Sequence, residues 1–162
     1  MDEELIEFWK KLNGNGVKYM MVGGLAARFH GYNRTTDDLD MWLEDTLENR
    51  KSLRKAFVDL DYGDFVSIET TQFVPGWTSF YAAGIVLDIM TEMKGLEDLS
   101  FAECYKEATF YDIGGNSVPF INISHLIANK KAVNRDKDKL DVIYLEKIKR
   151  LQDEAGKTPP TL

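Results

Sequence analysis

The chain has 162 residues, 44% of them apolar and 29% charged, with a formal net charge of −7. That length suits one domain able to bury roughly 70% of its unfolded surface, and the composition is ordinary for a soluble globular protein. The acidic balance argues against a dedicated duplex-DNA binder, which displays a broad basic surface. A single cysteine, Cys104, excludes an intrachain disulfide framework. No apolar run approaches the ~20 residues of a membrane span, and the opening Met1-Asp2-Glu3-Glu4 is acidic where a signal peptide is basic. A cytoplasmic protein is expected.

Leu5, Phe8, Trp9 and Leu12 fall at helical spacing, which predicts an amphipathic helix over 2–13 that stops at Asn13-Gly14-Asn15-Gly16. An apolar strand, Val17 to Val22, ends at Gly23-Gly24, and a short helix, Leu25 to Phe29, follows. Glycines at a strand-to-helix turn let backbone N–H groups approach an anion closely. Taken alone, the pair reads equally as an ordinary tight turn. After a loop come Arg34, Thr36 and the strand Asp38-Leu39-Asp40-Met41-Trp42-Leu43. Period-two alternation puts Asp38 and Asp40 on one face, with Cα atoms roughly 7 Å apart. Two like charges held so close favour a cation between them, and an all-oxygen donor set suits Mg²⁺ or Mn²⁺. The bland alternative is a strand face turned to water. What shifts the balance is one short segment offering phosphate donors and metal ligands together.

Beyond this unit, Thr46 caps a helix reaching about Leu60, with Asn49 at its third position, and Asp61 to Asp64 form a turn. Phe65 to Met90 reads as β structure, broken at Pro75-Gly76 and Gly84. Within Ile85-Val86-Leu87-Asp88-Ile89-Met90 a single acid interrupts a continuous apolar strand. A buried isolated carboxylate is costly, so Asp88 needs a partner or a metal, unless it reaches solvent or caps a turn at the strand end. Glu69 and Glu92 are weaker candidates, because core residues flank neither so tightly.

Ser100 and Glu103 form a capping box for a helix to Glu107. Two strands, 109–113 and 117–121, flank Gly114-Gly115-Asn116 as a hairpin. This second glycine pair has no aspartate strand behind it and is assigned to turn geometry alone. Ile123 to Val133 is helical, with Ser124 as candidate cap. The run Lys130 to Asp141 is dense in charge and reads first as a solvated helix face; it is also the densest basic patch of an acidic chain. Leu140, Tyr144, Ile148 and Leu151 predict a core stripe on the last helix. The segment 155–162 is expected to be a mobile tail after a single domain over 1–154. Gly156-Lys157-Thr158 mimics a P-loop end, but Leu151 stands where the motif's first glycine belongs and a helix precedes it. With only His30, His125 and one cysteine, a zinc site is not expected.

Gly23-Gly24, a gap of about a dozen residues, then Arg34-x-Thr36-x-Asp38-Leu39-Asp40 resembles the signature of the polymerase-beta-like nucleotidyltransferase superfamily. The similarity is greatest to its small single-domain members, related to minimal nucleotidyltransferases and abortive-infection toxin or antitoxin proteins. The resemblance implies an α+β fold, a mixed sheet flanked by helices with a helical C-terminus. It implies that Gly23 and Gly24 hold a nucleoside triphosphate, with ATP the expected one, and that Asp38 and Asp40 bind Mg²⁺ or Mn²⁺. A third superfamily acid lies on a later strand, where Asp88 is the best match. Lys130-x-x-x-x-Arg135-x-Lys137-Asp138-x-x-Asp141 resembles a C-terminal helical motif whose lysine lies near the phosphates.

The expected activity is Mg²⁺-dependent transfer of a nucleotide to a hydroxyl acceptor: Asp38, Asp40 and Asp88 catalytic and metal-binding, Gly23, Gly24, Arg34, Thr36, Lys130 and Lys137 on the nucleotide. Asp138 and Asp141 are expected to anchor the last helix through ion pairs. The acceptor could be a small molecule, transfer RNA or a protein. The alternative is a non-catalytic component of a toxin–antitoxin-like system with a protein partner, or a homodimer. A metal phosphohydrolase ranks last for want of histidines.

Overall fold

The computed structural model describes residues 2–157. Helix α1 (Glu3–Gly14) starts where the Asp2 carboxylate accepts the Glu4 N–H, and it buries Leu5, Phe8, Trp9 and Leu12, the face that the periodicity marked. Strand β1 (Tyr19–Val22) is buried at every position. Helix α2 (Gly23–Phe29) begins at Gly23, so both glycines lie in its first turn rather than in a turn ahead of it. Strand β2 (Asp38–Leu43) follows, then α3 (Leu47–Asp59), whose Asn49 N–H is capped by the Thr46 hydroxyl.

Strands β3 (Ser79–Ala82) and β4 (Ile85–Met90) come next. Helix α4 (Phe101–Lys106), with the expected capping box, leads into the hairpin β5 (Thr109–Ile113) and β6 (Asn116–Phe120). Helices α5 (Ile123–Val133) and α6 (Asp136–Lys157) end the described chain. The strands form one mixed six-stranded sheet in the order β3-β4-β2-β1-β6-β5, in which β2–β4 and β1–β6 are parallel. Strand alternation sends Leu39, Met41 and Leu43 to one face and Asp38, Asp40 and Trp42 to the other. On the first face Trp9 meets Phe120 edge-on at 6.4 Å; on the second, Phe101 of α4 meets Trp42 at 5.4 Å. The fold is α+β, as expected.

Four local readings change. Phe65 to Val74 is not a strand: a 3-10 turn spans Val66–Glu69. The Arg50 guanidinium takes the Ile68 and Thr71 carbonyls, and Arg54 ion-pairs with Asp64 and Glu69. The Ile68 and Thr71 carbonyls are thus answered by Arg50 and not by a neighbouring strand. Helix α5 is capped by Asn122, whose carbonyl oxygen accepts the His125 N–H at 2.8 Å, and not by Ser124. On α6 the buried positions are Asp138, Asp141 and Leu145, whereas Leu140, Tyr144 and Leu151 are 50%, 44% and 55% exposed. Buried ion pairs, and not an apolar stripe, set the rotation of this helix. It also continues to Lys157, past the expected start of the tail; 158–162 lie outside the described residues.

Candidate active site

Parallel pairing of β2 with β4 sets Asp40 directly opposite Asp88, with Asp38 two residues earlier opposite Val86. Neighbouring strands run about 4.8 Å apart, so the three acids occupy one patch of one sheet face. Burial, then the charges of Asp88 and Asp38, push the Asp40 carboxyl up to about 6, although Lys130 and Lys137 pull the other way. Asp88 is also raised, by burial and by Asp38, against the opposing effect of a Gly76 N–H donated to its Oδ2 at 2.8 Å. Its Oδ1 is buried with no hydrogen-bond partner among the described residues.

The glycine pair has a steric reason beside these acids. Gly23 has φ +66°, and a Cβ there would stand 2.1 Å from Asp40 Oδ2; a Cβ on Gly24 would stand 2.8 Å from Thr36 Oγ1. Only glycine lets the start of α2 pass this close to β2. The Thr36 hydroxyl donates to the Asp38 carbonyl at 3.1 Å and so shapes the entry to the strand.

The cations are arranged otherwise than a solvated charge run would be. Lys130, Asp138 and Asp141 are 5%, 1% and 2% exposed. Lys130 Nζ lies 2.7 Å from Asp141 and 3.5 Å from Asp138, and Arg34 reaches the same Asp141 oxygen at 2.5 Å. Arg135 closes the set on Asp138 through its side chain at 2.6 Å and its backbone N–H at 3.0 Å. Burial raises the Asp138 carboxyl, but the Arg135 donors and Lys130 carry it below its ordinary value. Asp138 and Asp141 therefore hold the α5–α6 corner, as expected, and Arg34 is tied into it. Lys137 is exposed, yet its charge is felt at Asp40.

A cleft of about 360 Å³ opens over this corner, lined by Asp40, Asp88, Gly23, Lys130, Lys94 and Arg135 among others. Lys94 carried no signal in the sequence. It is brought in by Gly95, whose φ of +87° lets the chain run against α5, where a Cβ would stand 2.7 Å from the Ala128 carbonyl. Glu92 also lines the cleft; Glu69 is paired with Arg54 instead. His30 is buried, its Nε2 2.7 Å from the Ile121 carbonyl, so it is a core group. As the side chains stand, no group of three or more His, Cys, Asp and Glu among the described residues is arranged to hold a metal ion. The chemistry of the donor set nevertheless fits a hard cation: clustered carboxylates, two of them raised by crowding and burial, and one orphaned buried oxygen. Among the described residues no helix is long and apolar enough to cross a membrane.

No family model and no curated protein matches the chain. Solved structures do. The Thermotoga maritima protein TM1012, assigned as a nucleotidyltransferase, aligns with TM-score 0.55 at 18% identity over 95% of this chain and 91% of its own. The lincosamide antibiotic adenylyltransferase LnuA, with lincomycin bound, aligns with TM-score 0.58 at 13% identity over 91% and 98%. The antibiotic-resistance factor ANT(2'')-Ia, solved in complex with adenylyl-2''-tobramycin, gives 0.56 at 16% identity over 93% of each chain. This protein has the nucleotidyltransferase fold.

Proposed function

We propose that the protein is a nucleotidyltransferase that moves a nucleoside monophosphate from an NTP to a hydroxyl acceptor. One observation carries the reading: Asp40 and Asp88 stand side by side on parallel strands, against the glycine-started helix and under a cleft that also holds Lys130. ATP is the donor we favour, since one structural neighbour is named an adenylyltransferase and another is solved in complex with adenylyl-2''-tobramycin.

In the reaction, the acceptor oxygen bonds to the α-phosphorus, the bridging bond to the β-phosphate breaks, and pyrophosphate leaves. Asp38, Asp40 and Asp88 would hold Mg²⁺ or Mn²⁺, which supplies charge neutralisation at the triphosphate. Asp88 takes the acceptor's proton, a role helped by its raised affinity for one. Gly23 and Gly24 admit the triphosphate beside Asp40. Lys130, Lys137 and Arg34 offset the charge that grows at phosphorus, while Thr36 keeps the loop before β2 in place. Asp138 and Asp141 keep Lys130 oriented.

A second reading has its own observation. Leu140, Ile143, Tyr144 and Leu151 are exposed on α6, which suits a protein partner or a second copy, as in a toxin–antitoxin-like pair that needs no turnover. Each α-labelled NTP, incubated with Mg²⁺ and whole-cell lysate beside an Asp38→Ala/Asp40→Ala control, separates the two. Label transferred by the wild type alone supports the enzyme; equal labelling by both proteins refutes it.

A further inference from the structure

The sheet face that carries the acids continues past Asp88 to the edge strand. Residues directly paired across strands share a face. The register therefore lays Val22, Asp40, Asp88 and Ser79 in one row across β1, β2, β4 and β3, and Asp38, Val86 and Tyr81 in the next. The reverse face of the same strands is sealed, with Leu87 and Ala82 both 0% exposed. On the acid face, Asp38 and Ser79 are exposed, Val86 is half-buried and Tyr81 is 76% exposed. The Pro75–Gly76 turn borders the first cleft at Asp88, to which it donates the Gly76 N–H, and Trp77 follows it, 88% exposed.

The row has a direction. Gly23 stands at its β1 end, and Lys130 is held by the same Asp141 that takes Arg34 from the approach to β2. In phosphoryl transfer the attacking and leaving oxygens lie roughly in line on opposite sides of phosphorus. Pyrophosphate held at the β1 end leaves attack to come from the β4–β3 end, where Asp88 can take the proton.

Resting on the transferase reading above, we propose that the open patch of Tyr81, Val86 and Ser79, with Trp77 at its rim, is the acceptor site. The acceptor is a small ring-bearing molecule, neutral or positively charged. Its ring lies on Tyr81 and Val86, and its hydroxyl oxygen bonds to the α-phosphorus from the Asp88 side. The bridging bond to the β-phosphate breaks, pyrophosphate departs and the proton goes to Asp88. Asp37 and Asp38 are both exposed beside the patch, and Tyr81 also borders a pocket with Glu4, Glu7 and Asp61. An aromatic face ringed by carboxylates attracts a cation. An RNA end stacks on aromatic rings too, but it would bring its phosphates against these acids.

The test removes the platform and leaves the cationic cleft alone. Tyr81→Ala truncates an exposed side chain, Tyr81→Phe keeps the ring, and Trp77→Ala clears the rim should Tyr81→Ala not fold by circular dichroism. Each is assayed with α-labelled ATP and Mg²⁺ over a dilution series of cell extract, split by filtration into small-molecule and macromolecular fractions. Nucleotide binding is followed with a ribose-labelled fluorescent ATP. Trp9 and Trp42 are 0% and 3% exposed, so the emission that acrylamide quenches reports Trp77. The expected result is label in the small-molecule fraction with wild type, about tenfold more extract needed for half-maximal transfer by Tyr81→Ala, recovery of most of that loss in Tyr81→Phe, and nucleotide binding unchanged. With a non-hydrolysable ATP analogue bound, the small-molecule fraction should also shield Trp77 from acrylamide. Label confined to macromolecules, the same extract dependence in Tyr81→Ala as in wild type, or a Trp77 that stays equally quenchable overturns the acceptor site and leaves the transferase reading intact. No label in either fraction from wild type fails that reading, and the acceptor site with it.

Discussion

Two clusters of charge flank the cleft, and they are built on opposite rules. At the α5–α6 corner, Lys130, Arg34 and Arg135 are matched to Asp138 and Asp141, and every ion there has a partner within 3.5 Å. On β2 and β4, carboxylates face carboxylates, and the buried Oδ1 of Asp88 has no hydrogen-bond partner among the described residues. The first arrangement fixes a lysine and two arginines in place beside the cleft; the second leaves like charges crowded together, which a bound cation would answer.

The comparison breaks most visibly at Lys130. Replacing it by Met leaves Asp138 and Asp141 buried beside a missing cation, and unfolding free energy should fall by about 3–5 kcal/mol, read by urea denaturation. Gly23→Ala comes next: a left-handed backbone position and a Cβ driven into Asp40 should cost about 2 kcal/mol, with transfer lost. Asp40→Asn should act in the opposite direction. It removes a carboxylate that its neighbours repel, so the variant should be more stable at neutral pH by about 1–3 kcal/mol, allowing for solvent screening of a half-buried group, while transfer is abolished.

The pH dependence sharpens the same contrast. Burial and the charges of Asp88 and Asp38 push the Asp40 carboxyl from its ordinary 3.8 up to about 6 in the folded chain. The native state therefore binds the extra proton in that window, and this group's contribution to stability is present below it and lost as pH rises through it. Asp138, held below its ordinary value, contributes in the other sense, losing its stabilisation as pH falls. In Asp40→Asn the first loss should vanish from a thermal-unfolding series and the second remain. Mg²⁺ should raise the unfolding temperature of wild type at neutral pH, EDTA should reverse it, and Asp40→Asn should respond less.

Much of this was legible in the chain itself. The alternation in Asp38-Leu39-Asp40 and the lone acid in Ile85 to Met90 are strand patterns, so the shared face followed from period two once β2 and β4 paired. That they pair, and in the register that sets Asp40 against Asp88, is a long-range fact with no local signature. The segment Phe65 to Val74 was misread because β-prone residues there yield to arginines of another helix. The α6 stripe was misread for a related reason: hydrophobic periodicity assumes that apolar groups choose the buried face, and here two aspartates hold it through Lys130. Lys94 had no pattern to find, since its place follows from the close pass of Gly95 against α5.

The central claim is that the acids of β2 and β4 work as one centre. Its most direct test is pyrophosphate release from ATP with Mg²⁺ and an extract that supports transfer, comparing wild type with a folded Asp88→Asn. Because Asp88 lies on a different strand from the recognisable motif, its loss isolates the joint centre from the motif alone. The account predicts a fall on the order of 10²- to 10³-fold with circular dichroism unchanged. Release at the wild-type rate from Asp88→Asn would contradict it.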